Sequence, residues 1–144
     1  MRRNCMKPLS ALLLLLALCL SAAPSWAEDS SIDTAIASLE KQIARDEEIV
    51  SRPANIAATR LARQQIGDGL NEFQFIINHF ERHFAEADPQ MIKDLNRIRN
   101  EEETEAGNER FSHRSLDSTR NMVGANLPLK KAILKRARDL AYGQ

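Results

Sequence analysis

Apolar residues recur along this chain at helical spacing, and no convincing stretch alternates in the manner of a half-buried strand. Ser30 or Ser31 offers an N-cap to a first helix that carries Ile32, Ile36, Leu39, Ile43 and Val50 on one stripe. Pro53 ends it, because proline has no N–H to donate and disfavours helical backbone in the residue before it. A second helical segment runs from about Ala54 to Glu86, and its latter half places Ile66, Leu70, Phe73, Ile77, Phe80 and Phe84 at alternating four- and three-residue spacings. That is a heptad-like seam. Gly67 and Gly69 near its start each cost about 1 kcal/mol relative to alanine in a helix interior, so they predict a kink or break, with the close crossing of another helix as the alternative.

Asp88-Pro89 is a strong helix start, an N-cap acceptor followed by the residue best tolerated at the first helical position. Met91, Ile92, Leu95 and Ile98 form a narrower stripe behind it. Glu101, Glu102, Glu103 and Glu105 read as its solvated continuation, and Gly107-Asn108 as a left-handed stop. Residues 108 to 126 are weakly patterned. Pro128 then opens a final helix with Leu129, Ile133, Ala137 and Leu140 inward and Lys130, Lys131, Lys135, Arg136 and Arg138 on its other faces. The pattern predicts an all-α fold, a small bundle of four to five helices. The Ile66–Phe84 seam suits the core of that bundle or, as the alternative, the interface of a homo-oligomer.

The first 27 residues have a different physical character. Arg2, Arg3 and Lys7 precede an apolar run from Leu9 to Leu20, and Ser25-Trp26-Ala27 supplies a small-x-small triplet. The run falls short of the roughly 20 residues that span a bilayer, and the three parts together read as a cleavable signal peptide over residues 1–27. Residues 28–144 then form a single helical domain. Cys19 sits behind Leu18 rather than a small residue, which argues against lipid attachment. The expectation is export to a periplasm or the cell exterior.

Removing that segment takes both cysteines and the one tryptophan with it. A cysteine-free exported domain has no disulfide to hold it and depends on its core, a ligand or a partner. After Ala27 there are 17 basic and 20 acidic residues, a net charge of about −3. From Glu28 to Glu109 acids outnumber bases 18 to 9, and from Arg110 onward bases outnumber acids 8 to 2. Such a split points to pairing within the molecule or with a partner, and not to general nucleic-acid binding.

Chemistry-bearing motifs are sparse. His79 and His83 share a helix face at i and i+4, with Glu72 and Glu86 near the same stripe, so they are the candidate ligands of a divalent transition metal. The intervening Glu81 is misplaced for a zinc protease, and no Cys-x-x-Cys-His offers covalent haem attachment. Arg110, Arg114 and Arg120 among serines form a weak candidate anion site. There is no cysteine nucleophile after the leader, no Gly-x-Ser-x-Gly elbow and no phosphate-cradling glycine loop, so no catalytic residue is assigned. The functional expectation is non-enzymatic binding of another protein, as an accessory, chaperone-like or inhibitor protein. The surface flanking Phe73, Phe80 and Phe84, or the basic helix bearing Lys130, Lys131, Lys135 and Arg136, would meet the partner. Two alternatives stand beside it: a metal-binding or sensing module at His79 and His83, and peripheral attachment of the basic C-terminal helix to an anionic membrane surface.

Overall fold

The structure is a computed structural model that describes residues 25–111 and 113–143; the leader read over residues 1–27 lies almost wholly outside them. All contacts below lie within the unit beginning at Ser31. Four helices account for nearly all described residues: α1 (Ser25–Ser51), α2 (Ile56–Phe84), α3 (Pro89–Ala106) and α4 (His113–Tyr142). The described residues contain no strand, so the fold is all-α. Turns of a few residues join α1 to α2 and α2 to α3, which makes those neighbours antiparallel. Helix α4 also runs against α1: Tyr142 bonds Asp33, Arg138 pairs with Glu40, and Lys131 pairs with Glu47.

The helix ends follow from local chemistry. Asn55 precedes α2, and its side-chain oxygen accepts from the Ala58 N–H at 2.8 Å. Asp88 does the same for α3 through the Met91 N–H at 2.9 Å, with Pro89 in the first turn as expected. Helix α1 ends at Ser51, just before Pro53. It starts upstream of the expected Ser30 or Ser31 cap, at Ser25.

Three expectations are corrected. First, α2 runs unbroken through Gly67 and Gly69. Gly69 marks the close helix crossing that was the alternative: a Cβ there would fall 2.7 Å from Arg45 Nη1 and 2.9 Å from Gln42 Nε2, both on α1. Second, Gly107 closes α3 in right-handed backbone at φ −79°, its N–H donating to the Glu103 carbonyl, so there is no left-handed stop. Third, Pro128 lies inside α4 rather than opening a helix. An interior proline forfeits one backbone hydrogen bond at a cost of about 3 kcal/mol. A continuous buried stripe on either side of it, Thr119, Val123, Asn126, Lys130, Ile133 and Ala137, offsets that loss by docking both halves of α4 on the same core.

The core is not uniform along the bundle. At one end Ile32, Ile36, Leu39 and Ile43 of α1 meet Phe73, Ile77, Phe80 and Phe84 of α2, Met91, Leu95 and Ile98 of α3, and Ile133 and Ala137 of α4. The rings of Phe80 and Phe84 pack edge to face at 5.3 Å. Burying such side chains contributes about 1.5–3 kcal/mol each, which makes this end the anchor of the fold. At the other end the buried apolar cluster among the described residues is small, Ile49, Ala62, Ile66 and Val123, and charged and polar residues occupy neighbouring inward positions.

Candidate functional site

Lys130 is the centre of that second region. It sits on the inward stripe of α4, 0% exposed, and its ammonium donates to Asp46 Oδ2 of α1 at 2.7 Å and to Glu102 Oε1 of α3 at 2.5 Å. The α2 helix completes the surround with the Phe73 ring, whose centroid lies 4.9 Å from Lys130 Nζ. Arg45 closes the layer from α1: its Nε and Nη2 donate to Asp46 Oδ1 at 2.9 and 2.6 Å, and Nη2 also reaches Glu102 Oε1 at 2.9 Å. Two carboxylates and two cations thus cancel within one cross-section of the bundle. A charge removed from water is tolerated only with such partners.

A second polar layer lies nearer the α3–α4 connection. Arg63, buried on α2, pairs with Glu105 of α3 at 3.0 Å, and its Nε also donates to Thr119 of α4 at 3.2 Å. Thr119 donates to Glu105 Oε1 at 2.5 Å. The remaining donors of Arg63 reach outward: Nη1 bonds the carbonyls of Asn108 and Arg110, each at 2.7 Å, while the guanidinium lies 5.0 Å from the centroid of Phe111. One arginine therefore pins the connection to the bundle. Not every atom of these layers is satisfied: Gln42 Oε1, Arg45 Nη1 and Glu102 Oε2 are buried with no hydrogen-bond partner among the described residues.

The sequence-predicted residues fall in different places. Phe73, Phe80 and Phe84 are buried in the core and offer no surface of their own. Lys130 leaves the basic face altogether, and Glu102 and Glu105, read as solvated, are 1% and 8% exposed. Lys131, Lys135 and Arg136 remain accessible but face carboxylates of this chain, pairing with Glu47 at 2.6 Å, Asp139 at 2.8 Å and Asp88 at 3.3 Å. His79 Nδ1 bonds the Phe75 carbonyl at 2.9 Å and its ring packs on Phe75, while His83 is exposed. Glu72 is engaged by Lys41 on α1. No group of three or more His, Cys, Asp or Glu suited to a metal ion occurs among the described residues. The side chain of Arg114, from the candidate anion site, lies outside the described residues.

Comparison with models of known protein families, with curated proteins and with solved structures finds no match to this chain.

The buried ions had a legible signal. On α3 the spacing Met91, Leu95, Ile98, Glu102, Glu105 keeps the four–three alternation of the seam, so the two glutamates occupy core positions. Asp46 continues Leu39 and Ile43 on α1 in the same way, and Lys130 lies three residues before Ile133 on α4. Reading position before residue type would have found all four.

An open groove of about 940 Å³ runs along the outer side of α3. Ile92, Lys93, Asn96, Arg97, Asn100 and Thr104 line its length, and Met122 of α4 stands at one end. No described helix is long and apolar enough to cross a membrane.

Proposed function

We propose that this protein is exported and acts without catalysis, by binding another protein along the outer face of α3. The observation that carries the reading is the contrast between the two long surfaces. On the basic helix α4, Lys131, Lys135 and Arg136 are met by acids of the same chain, whereas the α3 groove presents the exposed amide of Asn100 and that of Asn96, which donates to the Ile92 carbonyl at 2.8 Å and keeps its oxygen outward, beside buried Ile92. An open groove whose lining mixes apolar, amide and charged side chains of both signs suits a protein partner better than a compact ligand. Export is supported by the residue order at the N-terminus, positive Arg2, Arg3 and Lys7, then the leucine run, then Ser25-Trp26-Ala27. Cleavage before Glu28 would trim α1 by its first three residues and spare its core stripe from Ile32 onward.

Two measurements test the reading separately. N-terminal sequencing of protein from the native host should begin at Glu28, and a start at Met1 would remove the export claim. A photo-crosslinking residue placed at Asn96 or Asn100 should capture one discrete partner in living cells, while the same residue at Lys131 should not. Equal capture from both faces, or none from the groove, overturns the docking assignment.

A further inference from the structure

After Ala27 the sequence carries sulfur at only two positions, Met91 and Met122. The structure places them in opposite surroundings. Met91 of α3 is 0% exposed within the apolar end of the core. Met122 of α4 is half-buried: it packs against the small cluster of Ile49, Ala62, Ile66 and Val123, and it also lines the end of the α3 groove. No cysteine or tryptophan follows Ala27 to compete for an oxidant. A peroxide therefore meets one thioether, in the wall of the groove, while the other stays sheltered until the core opens.

The chemistry at that sulfur changes what the groove presents. A peroxide hands one oxygen to the thioether: the O–O bond breaks and an S–O bond forms. Sulfur is oxidised by two electrons, and the second peroxide oxygen leaves as water with both peroxide protons. The sulfoxide carries a strong hydrogen-bond acceptor where a soft, apolar atom stood. Water satisfies that acceptor in the free protein, and a partner seated over it must strip the water away. We propose that Met122 is a site of oxidative modification whose sulfoxide weakens docking along α3. The site follows from the unequal burial of the two methionines, whereas its consequence rests on the docking reading above.

Hydrogen peroxide applied to the folded protein, followed by peptide mass spectrometry, reads the site. One added oxygen should appear at Met122 about tenfold faster than at Met91, and denaturant should bring the two rates together. The crosslinking residue at Asn96, in cells of the native host, reads the consequence. Met122→Gln, a fixed polar group on a similar stem, should lower capture about tenfold, the effect of one unpaired buried acceptor. Met122→Leu, apolar and inert to peroxide, should keep its capture through a peroxide challenge that lowers capture by the parent, and it decides the matter if the glutamine variant does not fold. Similar rates at Met91 and Met122 in the folded protein overturn the site. Undiminished capture by folded Met122→Gln, or equal loss in Met122→Leu and the parent under peroxide, overturns the consequence. No capture by the unoxidised parent, with Met122 still selectively oxidised, removes the docking reading and the consequence together and leaves the site standing.

Discussion

The two ends of this bundle use the same helices and the same seam spacing, yet they are held by different forces. At the Phe80 end, side chains from all four helices fill the interior with carbon, and stability there comes from area withdrawn from water. At the Lys130 end, equivalent positions hold Asp46, Glu102, Glu105, Arg63 and Lys130, whose attraction must first repay the removal of each charge from water. The first arrangement is tolerant: any apolar side chain of similar volume serves. The second is conditional, since each ion is stable only while its partner is in place. Helix spacing alone therefore does not set how firmly a bundle is held.

The sharpest way to break the contrast is to remove one ion. Lys130→Met should destabilise the protein by about 3–5 kcal/mol, measured by denaturant unfolding, because Asp46 and Glu102 would share only Arg45. Leu95→Ala at the apolar end should cost about 2–5 kcal/mol through its cavity. The difference lies in rescue. Replacing all four ions of the layer, Arg45, Asp46, Glu102 and Lys130, together by apolar residues of similar size should recover the loss and add stability of up to about 1–4 kcal/mol. A quadruple variant as unstable as Lys130→Met would show that the layer does more than balance itself.

Hydrogen exchange sharpens the same comparison without substitution. Amides around Ile77 and Leu95 should exchange only through global opening, whereas those around Ala62 and Val123 should exchange sooner, through local opening. Uniform protection along α2 would erase the distinction. The smallest effect is expected at the surface. Tyr142 donates to Asp33 at 2.5 Å, and that hydrogen bond raises the phenol above its ordinary range, since ionisation would set two negative charges together. A group raised in the folded state contributes below its unfolded value and loses that contribution as pH climbs through the folded one. Tyr142 is the sole tyrosine, so ultraviolet titration should show its ionisation displaced upward, and Asp33→Asn should bring it back.

Much of the fold was legible in the sequence because caps and seams are local. Asp88-Pro89 marks a helix start whatever surrounds it, and the phenylalanine seam specifies its own inward face. The glycines at 67 and 69 and the proline at 128 misled for the opposite reason. Their local preference is to interrupt a helix, and only neighbours distant in sequence, Gln42 and Arg45 for Gly69 and the buried stripe of α4 for Pro128, supply what overrides it. The buried ions failed on residue type. Lys130 has the position of a core residue, three before Ile133, but the character of a surface one, and its partner Asp46 lies 84 residues away.

Arg63 carries a consequence for anyone who would build on this scaffold. Because a single guanidinium on α2 grips the carbonyls of Asn108 and Arg110, the geometry of the third crossover is tied to another helix as well as to its own Asn108, whose side-chain oxygen accepts from the Arg110 N–H at 3.0 Å. A fluorophore or epitope inserted there would pull on the interior, whereas the exposed corner at Pro53 and Ala54 has no such leash and is the natural place to graft new sequence.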